Sequence, residues 1–213
     1  MNLLAIDFSS PQRSVAVSSA GAQGEVLETD AKATNPFGMI DEALRSAELR
    51  REEIECLVVG LGPGSYTGIR ASLALAQGWQ LARGVKLLGI SSAMAVAAQA
   101  QVEGMSGAVT VVIDAQRGEF YLATYQLKNG TVQETEALKI VSADEVRRRE
   151  QAGEILIGPE ITRWFPSGKV VHPRASSLAR LAATQTNFVS GETLEPIYLR
   201  ETTFVKAPPP RVL

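Results

Sequence analysis

One stretch in each half of this chain follows the same plan. Leu3-Leu4-Ala5-Ile6-Asp7 runs into a polar turn through Ser9, Ser10, Pro11 and Gln12, then into Ser14-Val15-Ala16-Val17-Ser18, which reads as strand, turn, strand. Val109-Thr110-Val111-Val112-Ile113-Asp114, a turn at Gln116-Arg117-Gly118, and Phe120-Tyr121-Leu122-Ala123-Thr124-Tyr125 repeat it. Both first strands end in Ile-Asp and turn back at once. A repeated hairpin of this kind constrains the chain to two similar units.

The segments after the two hairpins also match. A third strand is expected at Glu25 to Thr29 and at Val132 to Val141, and helical periodicity comes next. Phe37, Ile40, Leu44 and Ala47 put one apolar face on a helix that starts after Asn35-Pro36, and a buried strand comes after it from Leu57 to Leu61. The second half offers a helix near Ala143 to Gln151, a short strand Ile155-Leu156-Ile157, and a helix from Ala175 to Thr186. Two related α/β domains are expected, 1–104 and 105–213, divided in the stretch Glu103-Gly104-Met105-Ser106-Gly107. The Ala207-Pro208-Pro209-Pro210-Arg211 tail reads as an extended or disordered end.

Composition removes several chemistries. Lys and Arg number 21 against 23 Asp and Glu, a net charge of −2, so the chain lacks the basic footprint of a nucleic-acid binder. One cysteine and one histidine allow neither an internal disulfide nor a Cys/His zinc site. Cys56 opens the apolar run Cys56-Leu57-Val58-Val59-Gly60 and reads as a core thiol. His172 stands before Pro173, in an extended segment or turn. The N-terminus has no leader pattern, which makes the cytoplasm the default expectation. The longest uncharged helical-looking run, read as Ala71 to Ala82, is well short of the ~20 residues that cross a bilayer.

Gly60-Leu61-Gly62-Pro63-Gly64-Ser65-Tyr66-Thr67-Gly68-Ile69-Arg70 lies between a buried strand and a helix, where backbone amides and the helix dipole could hold an anion. Its letters fit neither Walker A, nor the Rossmann spacing, nor a serine nucleophile elbow. Two readings stand for Gly62, Gly64, Ser65, Thr67 and Gly68: a nucleotide contact, or a tight turn with Ser65 or Thr67 as helix cap. The helix behind the loop carries no charge from Ala71 to Ala82. Ala71, Ala74, Gly78 and Ala82 form a small-residue stripe that would let another helix approach, while Leu73, Trp79 and Leu81 point elsewhere. Either its own domain covers that helix on all sides, or one face docks a partner.

Asp7 and Asp114 occupy equivalent ends of equivalent hairpins. There a carboxylate could hold hydrated magnesium or orient a water, or it could simply cap a turn. Phosphate-gripping hairpins want glycine soon after the aspartate, but Asp7 is followed by Phe8-Ser9-Ser10 and Asp114 by Ala115-Gln116-Arg117 before Gly118.

The duplicated plan resembles the actin, sugar kinase and Hsp70 superfamily. Within it, Leu4-Ala5-Ile6-Asp7, Gly62-Pro63-Gly64-Ser65-Tyr66-Thr67-Gly68-Ile69-Arg70, Ile113-Asp114-Ala115-Gln116-Arg117-Gly118-Glu119-Phe120-Tyr121 and Glu195-Pro196-Ile197-Tyr198-Leu199-Arg200 together resemble the TsaB (YeaZ) family over essentially the whole chain. The resemblance implies two tandem actin-like (ribonuclease H-like) α/β domains, each a mixed sheet with flanking helices. It also implies a non-catalytic subunit of the machinery that places threonylcarbamoyl on N6 of the adenosine beside the anticodon in tRNAs reading codons that begin with A. Catalysis would belong to the partner TsaD, with the ATPase TsaE joining them. The chain would form a homodimer when alone, meet tRNA only through the complex, and stay off membranes. No cofactor or metal is expected of the chain itself, with ATP or ADP and magnesium placed at the subunit junction. The pairing surface would be made by the helices near Phe37–Leu49 and Thr67–Ala82. Its expected residues are Phe37, Ile40, Leu44, Arg70, Ala71, Ala74, Leu75, Gly78, Trp79 and Ala82. Family members commonly carry a histidine near the first helix, and Thr34-Asn35-Pro36-Phe37-Gly38 has none. The alternatives are a sugar-kinase-type phosphotransferase using Asp7 for magnesium and Asp114 as base, and a glycoprotease, which one His and one Cys serve poorly.

Overall fold

The computed structural model describes residues 1–29 and 35–200. The proline-rich end lies outside them. The first half begins with the expected hairpin and third strand, β1 (Leu3–Asp7), β2 (Gln12–Ser18) and β3 (Gln23–Thr29). Then come α1 (Pro36–Ser46), β4 (Cys56–Gly60), α2 (Tyr66–Arg83), β5 (Lys86–Ile90) and α3 (Ser92–Val102). The second half runs β6 (Gly107–Asp114), β7 (Glu119–Lys128), β8 (Thr131–Ser142), α4 (Ala143–Gln151), β9 (Leu156–Gly158), β10 (Lys169–Val170) and α5 (Ala175–Ala182).

The internal echo extends to the hydrogen-bond ladder. The first sheet is ordered β3-β2-β1-β4-β5 and the second β10-β9-β6-β7-β8, the same order read from opposite ends. In each, two antiparallel hairpin partners flank one side of the first strand and two parallel strands the other. This is the ribonuclease H-like arrangement expected of an actin-like half. Asp7 lies opposite Ser14 and Asp114 opposite Phe120, so each aspartate closes its hairpin.

Local chemistry sets the helix ends. Asn35 caps α1 by accepting from the Gly38 amide at 3.1 Å, with Pro36 in the first turn, where a missing N–H costs nothing. Ser65 caps α2 by accepting from the Gly68 amide at 3.3 Å, and Gly84 ends it at φ 67°, a left-handed turn that suits glycine. Ser142 caps α4, whose acidic first turn and basic last turn follow the helix dipole.

The helices are exchanged between the halves. Helices α1 and α2 cover one face of the first sheet, where Ile40, Leu44, Ile69 and Leu73 pack on Leu4, Ile6, Val15 and Val17. The opposite face is covered by α5, from the far end of the sequence, through Leu178 and Ala182 on Ala5 and Val58. In return α3 packs on β6 and β7 of the second sheet, with Val96 and Ala100 among Val109, Val111 and Tyr125. Arg180 donates to the Ala98 carbonyl at 2.7 Å, and Ser177 Oγ to Gln99 Oε1 at 2.9 Å, fastening α5 to α3.

Strand β5 and helix α3 were not expected. The uncharged run from Leu87 to Val102 is longer than Ala71–Ala82, and it breaks at Ser91 into a buried strand and a buried helix. Cys56 is the buried thiol expected, and loss of solvation pushes its pKa up to about 11. Among the described residues no helix is long and apolar enough to cross a membrane.

Candidate functional site

The two aspartates share a turn and differ in surroundings. Asp7 Oδ1 accepts from the Ser9 amide at 2.8 Å, and Asp114 Oδ1 accepts from the Gln116 amide at 2.8 Å: the same turn in both hairpins. Asp7 is fully buried. It also accepts from Ser9 Oγ at 2.6 Å and Ser92 Oγ at 2.8 Å. Burial raises its pKa, opposed by those hydrogen bonds and by Arg13. Asp114 is only half-buried and faces a cavity; its Oδ2 accepts from Gln116 Nε2 at 3.0 Å.

The glycine loop closes the Asp7 side from above. Ser92 Oγ, while donating to Asp7, accepts from the Gly62 amide at 3.1 Å; the Ser92 amide donates to Gly62 O at 2.8 Å. The Ser65 amide donates to Ser9 O at 2.7 Å. A Cβ on Gly60 would strike the Asp7 carboxylate, one on Gly64 the Ser9 carbonyl, and one on Gly68 the Phe8 carbonyl. Gly64 also sits at φ 144°. These glycines therefore let the loop approach the β1–β2 turn of its own chain. Of the two caps considered, Ser65 serves, and Thr67 is exposed in the first turn of α2.

Three of the loop amides and the Asp7 carboxylate are not free to hold a nucleotide phosphate with magnesium. The amides of Gly62, Ser65 and Gly68 already donate to Ser92, Ser9 and Ser65, and the Asp7 carboxylate has no face toward solvent. Ser92 was the residue missed. A serine ahead of an alanine-rich run reads as a cap, and nothing in the spacing sets it beside Asp7.

A cavity of 580 Å³ lies between the hairpins, with Ser9, Arg13, Tyr66, Asp114, Trp164 and Tyr198 among its walls. The C-terminal segment runs past its mouth: the Ile197 amide donates to Leu61 O at 2.9 Å, and Arg200 donates to Ala115 O at 3.0 Å and Glu119 Oε2 at 2.6 Å. Arg70, one of the residues expected on the pairing surface, binds this segment; its Nε donates to Tyr198 Oη at 3.1 Å.

The outer surface of α1 and α2 holds the second feature. A 350 Å³ groove is lined by Phe37, Ala74, Leu75, Gly78, Trp79 and Ala82, with Arg51, Glu52 and Arg83 at its rim. Phe37 is 59% exposed, Leu81 91%, and Gly78 has no atom near where a Cβ would stand. Six of the residues expected to pair with a partner thus meet in one depression. Ala71 is half-buried and Arg70 exposed on the same helix. Ile40 and Leu44 are a correction: both are in the core, because the periodic face of α1 is the face that packs on the sheet. Leu73 is core too, and Trp79 borders the stripe.

Comparisons with known proteins agree on one family. The family model described as TsaD, tRNA N6-adenosine threonylcarbamoyltransferase, matches residues 31–198. The tRNA threonylcarbamoyladenosine biosynthesis protein TsaB of Escherichia coli is 28% identical over 94% of this chain and 95% of its own length. Its namesake in Haemophilus influenzae is 29% identical over 98% of each. The solved structure of YeaZ from Pseudomonas aeruginosa superposes with a TM-score of 0.81 at 24% identity, covering 93% of this chain and 99% of that one, and shares the fold.

Proposed function

The chain belongs to the TsaD family, tRNA N6-adenosine threonylcarbamoyltransferase, as a TsaB/YeaZ homologue, and we propose that it serves threonylcarbamoyladenosine formation in tRNA as a scaffold that performs no turnover alone. It pairs with a TsaD-type transferase through α1 and α2, with TsaE as a further member, forms a homodimer by the same face when alone, and reaches tRNA only through the complex. The observation that carries this reading is the groove itself. Its floor is small residues, its sides are Phe37, Leu75 and Trp79, and nothing in the chain covers it among the described residues. Exposed apolar surface of this shape is costly unless a partner buries it.

The catalytic part fits the partner better than this chain. A sugar-kinase-type reaction needs a carboxylate that reaches magnesium, and Asp7 is sealed under the glycine loop. ATP or ADP with magnesium, where the assembly uses it, is then held at the subunit junction by groups other than the amides of Gly62, Ser65 and Gly68.

The test is an omission assay with tRNA, ATP, threonine, bicarbonate and the companion proteins of the same organism, read by mass spectrometry of the modified adenosine. Product that requires the chain, with no product and no ATP hydrolysis from the chain alone, is expected. Equal product without the chain refutes the role, and turnover by the chain alone refutes its being non-catalytic.

A further inference from the structure

The row that lines the groove does not stop at Ala74. Tyr66, Arg70, Ala74, Gly78 and Ala82 recur at four-residue spacing on α2, and residues so spaced lie one above another on a helix. Arg70 sits at the N-terminal end of that row and is held in place there. Its guanidinium carbon lies 4.3 Å from the centre of the Tyr66 ring, and its Nε donates to Tyr198 Oη at 3.1 Å. Tyr66 and Tyr198 are themselves 59% and 54% exposed, their rings 6.4 Å apart. With Nε committed and one face of the plane stacked, the two Nη nitrogens remain as a fixed fork. Among the described residues no carboxylate pairs with them.

An exposed arginine ordinarily loses rotamer freedom when it binds, and that loss offsets much of the gain. Here Tyr66 and Tyr198 have already ordered the side chain, so a carboxylate meeting it gains a bidentate pair at low entropic cost. The electrostatics of the helix point the same way. Its only charged residues are Arg70 and Arg83, one at each end of the apolar row, about 20 Å apart at 1.5 Å per residue. A second copy of this chain seated α2 on α2 would set arginines against arginines, and the acid that lines the groove, Glu52, is accompanied there by Arg51 and Arg83. An RNA backbone would meet Arg70 and leave the apolar groove uncovered.

We propose that Arg70, fixed by Tyr66 and Tyr198, is the anchor that receives a carboxylate of the protein partner docked on the α1–α2 face. The proposal rests on the reading of that face given above and names the chemistry by which it selects its partner: an apolar ridge with an acidic residue beside it, an acid that α2 itself does not carry.

Calorimetric titration of the full chain with the TsaD-type transferase of the same organism tests it. Arg70→Lys keeps the charge and loses the planar fork, and weakens binding ~10-fold. Tyr198→Phe keeps the ring and loses the acceptor for Nε, and weakens binding ~3-fold by releasing the fork. Both losses shrink between about 50 and 300 mM salt, as a charge pair at a rim must. Thermal unfolding of both variants matches wild type, since Arg70 is exposed. Gly78→Arg, in the groove two turns from Arg70 and carrying no acid that could pair with it, separates the two claims. If it abolishes binding while Arg70→Lys stays within twofold of wild type, the anchor is refuted and the face stands. If Gly78→Arg binds normally, the face is refuted and the anchor with it. Arg70-dependent binding of unmodified tRNA alone, or an Arg70-dependent homodimer, with partner affinity unchanged, also overturns the anchor.

Discussion

Replacing Ser92 by alanine is expected to destabilise the whole chain, because one hydroxyl joins three segments. Its Oγ donates to the fully buried Asp7 at 2.8 Å and accepts from the Gly62 amide at 3.1 Å. Removing it takes one hydrogen bond from a buried carboxyl, worth about 1.5–3 kcal/mol, and leaves a buried amide without its acceptor, about 1–3 kcal/mol. The two losses share one side chain and relax together, so the expected cost is about 2–4 kcal/mol. With a urea slope of about 3 kcal/mol/M for a chain of this size, the unfolding midpoint falls by about 1 M. Urea titration followed by far-UV circular dichroism reads this directly. Millimolar magnesium-ATP is expected to leave the midpoints of both proteins in place, since the amides of Gly62, Ser65 and Gly68 are engaged within the chain. The latch is refuted by a midpoint within about 0.2 M of wild type. A wild-type midpoint that magnesium-ATP raises and Ser92→Ala abolishes would restore the phosphate reading of the loop.

The same geometry sets two further outcomes. Burial raises the Asp7 pKa above its unfolded value, so the protonated form is favoured in the fold; its contribution is full below about pH 4 and is lost as pH rises through the folded pKa. The stability of Asp7→Asn relative to wild type therefore increases with pH from about 4 upward, as urea unfolding across pH 4 to 8 will show; a pH-independent difference contradicts it. Gly78→Ala, in a helix interior with nothing near the added methyl, raises stability by about 0.5–1 kcal/mol. A lower melting temperature for that variant would mean the groove is already covered within the chain.

What could be read from the sequence was whatever is local. The two Ile-Asp hairpins, the third strands, the α1 start at Asn35-Pro36 and the Ser65 cap each rest on neighbours within a few residues. Helix α3 escaped because periodicity marks a helix by its polar face, and Ser92–Val102 is buried nearly all round. The apolar spacing of α1 was visible, but spacing gives a face and not its cover, so Ile40 and Leu44 were assigned to a partner when they pack on the first sheet. The same limit separates the aspartates: Asp7 and Asp114 are alike in sequence and turn, and only the approach of Gly60, Gly62 and Ser92 seals one and not the other. The crossing of α5 onto the first sheet depends on contacts that no window along the chain contains.

The proposed docking of a TsaD-type transferase on the α1–α2 face is open to one direct measurement, light scattering behind size exclusion on the chain mixed with the TsaD-type protein of the same organism, wild type and Ala74→Glu side by side. Wild type is expected to give a heteromeric complex, and Ala74→Glu separate species at an unchanged melting temperature. A complex that survives the glutamate refutes docking at this face.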